Sequence, residues 1–242
     1  MPNEQIANKK KNHGFWIAVV ALLVLIPVTI IFSWYLGDRR YYIASVLIMV
    51  YSMIPFFISF ERRKPQAREL MILAIMCAIA VVARAAFVWL PHFKPIGGII
   101  MITAMAFGPQ VGFMTGSLSM LVSDMLYGQG PWTPWQMFAY GLFGFIVGIL
   151  AKKGFLKDTK PLRSAIVGFI IMVLMVGPLL DTCTVFTMAQ IMKDQSIAAI
   201  YIAGIPINVS QGIAVFLCVL LLSKPLVEKL NRIKKKYGIL EE

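Results

Sequence analysis

Apolar residues along this chain gather into long runs separated by short polar or basic punctuation, and the pattern predicts eight helical spans. They fall at about 15–36, 41–59, 70–90, 96–107, 110–127, 135–151, 164–190 and 198–223. The first run carries no charge over 22 residues. As a helix it reaches about 33 Å, enough for the hydrocarbon of a bilayer. None of the runs alternates apolar and polar positions as a barrel strand would, and a backbone in lipid must satisfy its own amides, so helices are expected. The first run is too long for a secretory signal, and Trp34, Tyr35, Leu36, Gly37 and Asp38 follow it in place of a small-residue cleavage site. It is expected to stay as a span. The fold class is therefore all-α, a polytopic membrane helical bundle.

Composition agrees with the pattern. Apolar residues make up 59% of the 242 positions and charged residues 14%, too little polar surface for a domain dissolved in water. A net charge of +12 would suit nucleic acid, but its placement argues for a bilayer and no nucleic acid. Eighteen of the 23 Lys and Arg cluster at 9–11, 62–68, 152–163 and 224–236, between alternate runs. Only Arg39, Arg40, Lys94 and Lys193 fall on the other side, and Arg84 lies inside a span. By the positive-inside rule both termini are cytoplasmic in the cell membrane. The basic, proline-containing stretch 61–69 divides the chain. Residues 1–60 read as a basic tail and an accessory two-helix hairpin, 61–224 as a six-helix core, and 225–242 as a basic cytoplasmic tail. The alternation of basic and apolar residues over 224–237 predicts a segment lying along the anionic inner leaflet.

Enzymatic motifs are missing. The chain has no His-Glu-x-x-His, no Gly-x-Ser-x-Gly and no phosphate-cradling Gly-x-x-x-x-Gly-Lys-Ser/Thr, so no catalytic residue and no ATP hydrolysis by this chain is expected. The two histidines, His13 and His92, lie in a tail and an outer loop, and Cys77, Cys183 and Cys218 sit unpaired within apolar runs. No metal site, disulfide or cofactor is expected from them.

Small residues recur every fourth position: Ala74 and Ala78 in the third span, Gly108, Gly112 and Gly116 leading into the fifth, Gly144 and Gly148 in the sixth. Such stripes let another helix approach closely. For the glycines internal packing is the reading. For the alanines, internal packing and a partner helix are both open. Polar groups in spans are costly and need a partner or a cavity. With the topology above, Arg84, Asp124, Gln136, Tyr140, Asp181, Asn208 and Gln211 all fall in the outer half of the core. Snorkelling and helix-tying account for any one of them, whereas convergence from five spans is what a solute pocket needs. Between the fifth and sixth spans, two glycines and two prolines surround Gln129, Trp132 and Trp135. An interfacial aromatic belt is one reading. A shaped outer loop that lids the pocket and stacks on a planar solute explains more of the stretch.

The stretch 104–135 brings in a family. With Phe107-Gly108-Pro109, the glycine-spaced fifth span and Gly128-Gln129-Gly130-Pro131-Trp132-Thr133-Pro134-Trp135-Gln136-Met137, it resembles the substrate-binding S components of energy-coupling factor (ECF) transporters, most closely the cobalamin-type branch. The resemblance covers about 68–224 as six helices, and the hairpin 1–60 exceeds that core. It implies a membrane subunit, not an enzyme, that captures a vitamin or cofactor outside. One transmembrane coupling subunit and two cytoplasmic ATPase subunits would be its partners, and toppling in the membrane would release the cargo. The family's Ala-x-x-x-Ala docking motif for the coupling subunit falls on Ala74 and Ala78. A self-contained secondary transporter or lipid-handling permease is the alternative. A lipid enzyme using Asp124 and Asp181 as acids is a weaker third.

Overall fold

In this computed structural model the described residues are 24, 28, 29, 41–62, 65–156, 161–188 and 197–238. The first predicted span, 15–36, lies almost wholly outside them, as do Arg39, Arg40 and Lys193. The chain divides into two compact units, Met1–Lys64 and Pro65–Glu242. Unit 1 contains α1, Tyr41–Glu61, at the predicted second span, with Pro55 inside it. At 21 residues it is about 32 Å long.

Unit 2 consists of α2 (Ala67–Ala86), α3 (Ile96–Phe107), α4 (Pro109–Tyr127), α5 (Trp132–Lys152), α6 (Pro161–Ile171), α7 (Gly177–Met188) and α8 (Ile197–Tyr237). No strand occurs among the described residues, and the chain is the all-helical polytopic bundle expected. Five helical stretches among those residues are long and apolar enough to cross a membrane: Ile43–Glu61, Ala67–Ala86, Trp132–Lys152, Pro161–Thr187 and Ile197–Tyr237. Their outward faces carry bare apolar side chains such as Val82, Leu174 and Leu221, which only lipid or a partner helix can cover without cost.

Two predicted spans are of another kind. α3 has only 12 residues, about 18 Å against the roughly 30 Å of hydrocarbon. It is buried on every side except at Met105, an inner helix packed by α2, α4, α5 and α8. α4 is long enough but carries Gln110, Thr115, Ser117, Ser119, Ser123 and Asp124 along its length, and most of these are buried.

Close helix contact explains the glycines. A methyl group on Gly112 would stand 2.5 Å from the Gly144 carbonyl oxygen, and one on Gly148 would overlap Pro109. One on Gly116 would overlap the Tyr140 carbonyl, so α4 and α5 meet backbone to backbone. Gly98 of α3 makes room instead for a side chain, that of Cys218 on α8. The single residue between α3 and α4 is Gly108, at φ 89°, a left-handed conformation that favours glycine.

Four boundaries differ from expectation. α2 stops at Ala86, and residues 87–95 form turns. The seventh span contains a π turn, Met172–Val176, just before Pro178. There the Gly177 N–H reaches back five residues to Met172, and the missing N–H of Pro178 leaves the α ladder interrupted. α5 begins at Trp132, inside the predicted loop. The basic tail is no separate element, because α8 runs unbroken through Pro206 and Pro225 to Tyr237. Its Val227 and Leu230 are buried, and Arg68 stands over the Tyr237 ring at 5.9 Å.

Candidate functional site

Chain direction puts the polar residues at one end of unit 2. Arg84 is in the last turn of α2, Asp124 in the last turns of α4, and Tyr140 in the first half of α5. Asp181 follows the π turn on α7, and Asn208 and Gln211 lie on the first half of α8. The structure joins six of the seven predicted span residues into three pairs.

Arg84 Nη1 lies 3.2 Å from Asp124 Oδ1, with the Asp124 side chain only 2% exposed. In such a setting the attraction is strong but the desolvation cost is too, so every lone pair matters. Arg84 also stands over the Tyr127 ring at 5.1 Å, a cation–π contact. Lys94, half-buried in the turns before α3, is within Coulomb range of both members of the pair. Burial pushes the Lys94 ammonium below its usual range, Arg84 pushes it further, and Asp124 opposes them. Tyr140 lies within range of the same pair, which ties α2, α4, α5 and the 87–95 turns into one electrostatic cluster.

The buried Tyr140 hydroxyl donates to Gln211 Oε1 at 3.0 Å. One turn away on α8, Asn208 Nδ2 donates to Asp181 Oδ2 at 2.8 Å. Two glycines make room for this second pair: a methyl on Gly204 would overlap the Asp181 carboxylate, and one on Gly177 the Asn208 amide. The π turn matters here as well, because one extra residue per turn rotates everything after it by about 100° around the helix. Further along, the Thr182 hydroxyl donates to the Pro178 carbonyl at 2.7 Å, so Tyr201 is the donor in their 2.8 Å contact. Sequence reading missed Tyr127, Thr182 and Tyr201. The signal available was their position, on helix ends already carrying Asp124, Asp181 and Asn208.

Segment 128–135 differs from the expected loop. Only 128–131 is irregular, with Gly128 at φ 113°. Pro131 precedes the helix and Pro134 occupies its first turn, where a missing N–H costs nothing. The Gly130 N–H reaches Thr133 Oγ1 at 3.3 Å, and the Thr133 N–H returns to the Gly130 carbonyl at 2.9 Å. The two tryptophans part company. Trp132 folds its ring against Gly130 and remains 44% exposed. Trp135 is 4% exposed and packs on Phe186 of α7, ring centroids 5.9 Å apart. Gln129 is exposed and Gln136 half-buried, and neither enters the three pairs.

Ala74 and Ala78 are exposed on α2, on one apolar face with Met71, Ile75, Ile79 and Val82. Packing inside unit 2 falls instead to Leu73, Met76, Cys77, Ala80 and Val81. Cys77, Cys183 and Cys218 are all buried free thiols.

Residues 64–228 match the family described as ECF-type riboflavin transporter, S component. A UPF0397 protein of Vibrio atlanticus (strain LGP32) is 27% identical over 88 residues, 34% of this chain and 48% of that protein. A UPF0397 protein of Streptococcus gordonii (strain Challis) is 46% identical over 44 residues, 18% of this chain and 23% of that protein. The chain thus spans less than half the length of these curated relatives. No solved structure matches. The cobalamin-type branch expected from the sequence is not the one this family description names. The matched region is well over half of the chain, and the chain belongs to the family of S components of ECF-type riboflavin transporters, a multi-pass membrane protein.

Proposed function

Starting from that membership, we propose that this chain captures a vitamin-sized solute for an ECF-type importer, at the polar end of unit 2. The observation that carries the reading is the meeting of paired polar side chains from α2, α4, α5, α7 and α8 at one end of an otherwise apolar bundle. Polar groups are kept in such surroundings only where they serve a partner or a cavity. Segment 128–135 covers that end, with Trp132 as the ring available to a flat solute. Gln129 and Gln136 flank it as further hydrogen-bonding groups. The exposed Ala74 and Ala78 face receives the transmembrane coupling subunit, and two ATPase subunits supply the energy. Both termini are cytoplasmic and the polar end faces outward, on the strength of the Lys and Arg distribution.

A flat vitamin of the flavin kind suits the site better than a corrinoid. A large planar corrinoid would call on both tryptophans of the lid, and Trp135 is already engaged with Phe186. Mass spectrometry of the solute that co-purifies with the full chain tests the capture. Recovery of no small molecule from protein made in vitamin-replete cells would overturn it. Vesicles holding this chain alone, compared with vesicles also holding the coupling and ATPase subunits, separate the importer from a self-contained permease. ATP-dependent uptake is expected only in the second set. A cysteine at Gln129 should react with an impermeant reagent from outside intact cells, and labelling only after lysis would reverse the orientation.

A further inference from the structure

The last third of α8 extends past what a bilayer can cover. Over 197–223 the helix carries no charge in 27 residues, about 40 Å and enough for the hydrocarbon. The next 14 residues, 224–237, hold six Lys or Arg against one Glu, and the helix continues through them. Lys236 is therefore about 18 Å past Lys224 along the axis, whereas a headgroup layer is only about 5–8 Å deep. To lie flat on the inner leaflet, as the sequence pattern suggested, the helix would have to stop near Lys224. It does not. In the orientation given above, 224–237 is a post standing in the cytoplasm.

The post has two opposite sides. At about 100° per residue, Ser223, Val227 and Leu230 share one side and are buried. Lys229, Arg232 and Lys236 share a stripe about 60° wide on the other side, and all three are exposed. Among the described residues neither Lys229 nor Arg232 forms an ion pair. The tip is fastened to α2, where Arg68 stands over the Tyr237 ring at 5.9 Å. Lys236 lies 5.3 Å from the same ring. Arg68 in turn heads the exposed stripe of Met71, Ile75, Ile79 and Val82 on α2, at spacings of three and four residues. A helix laid along that stripe runs to the basic tip. Resting on the reading of the α2 face as the coupling surface, we propose that Lys229, Arg232 and Lys236 form a second docking surface, below the membrane. Its occupant is an acidic segment of the same coupling and ATPase assembly that lies along α2. A rigid row of unpaired cations attracts carboxylates from water, and the lipid phosphates are out of reach.

The test is the association rate between the full chain, held on a sensor in neutral detergent, and the assembled coupling and ATPase subunits in solution. With no bilayer present, a charge effect belongs to protein. Lys229→Glu, Arg232→Glu and Lys236→Glu together should slow association at least tenfold and leave dissociation within twofold, because exposed charges steer encounter more than they hold a complex. Lys229→Gln, Arg232→Gln and Lys236→Gln together remove attraction without adding repulsion, and should slow it at least threefold. That set keeps the test valid if the first folds poorly. Raising the salt should close the gap between wild type and both variants. An association rate unchanged in both would overturn the proposal and leave the importer reading standing. A charge effect confined to cross-linking in phosphatidylglycerol vesicles would assign the stripe to lipid headgroups and overturn it too. Wild-type chain that never associates with these subunits would remove the importer reading, and this inference with it.

Discussion

Where α4 crosses α5, Gly112 and Gly144 bring two backbones into contact. Farther toward the Asp124 end, Asp124 and the side chain of Tyr140, whose own backbone lies against Gly116, reach their partners on α2 and α8. The first region has no slack, because anything added must displace a carbonyl. The second is held by hydrogen bonds that a competing donor or acceptor can exchange. One bundle thus has a fixed end and an adaptable end, and a solute would be expected only at the adaptable one.

The sharpest way to break that contrast is at its rigid end. Gly144→Leu should prevent recovery of a monodisperse protein on size-exclusion after detergent extraction, since its side chain has only Gly112 backbone to meet. A variant that eluted and melted as the wild type would show slack where none is expected. Next come the tryptophans. Trp135→Ala should cost about 3–5 kcal/mol of stability, as for other buried aromatics. Trp132→Ala should leave stability within about 0.5 kcal/mol and weaken solute binding by about 1–3 kcal/mol through lost apolar contact. Chemical unfolding and calorimetric titration of both variants separate the two roles, and equal effects would merge them. Tyr140→Phe should lower stability by about 1 kcal/mol through loss of its bond to Gln211, read from the unfolding midpoint. Smallest in stability is Ala74→Leu, within about 0.5 kcal/mol because the position is exposed. It should nevertheless abolish ATP-dependent uptake and leave solute binding within twofold. Parallel loss of binding and uptake would remove the alanine face from the docking role.

Hydropathy made the spans legible, because lipid leaves a backbone few choices, and glycine spacing marked α4 and α5 as closely packed inside the bundle, though not as each other's partners. The polar residues were found for a related reason: each is conspicuous against apolar neighbours. Their pairing was not readable. Nothing in the order of residues says that Asp181 meets Asn208, because the π turn before Pro178 resets the helix face from which Asp181 emerges. Proline misled at the start of α5. Pro131 and Pro134 begin that helix where they seemed to forbid it, whereas Pro206 and Pro225 are carried inside α8. Proline is harmless where its N–H has no duty, and sequence alone does not say which positions those are. The 12-residue extent of α3 was legible, since 96–107 was the run expected, but its surroundings were not, because a run of apolar residues looks the same whether lipid or protein encloses it.

That short helix has a consequence for permeation. α3 and α4 share Gly108 at one end, so their difference in length, 12 residues against 19, falls wholly at the other. For helices lying side by side, Ile96 begins about 10 Å short of the level where α4 ends. The turns of 87–95, Lys94 among them, must descend that far to reach it. A solute seated above Ile96 would face the positive end of the α3 dipole, with about 18 Å of helix beneath it in place of the whole hydrocarbon thickness. About a third of the crossing would then be complete at the moment of capture.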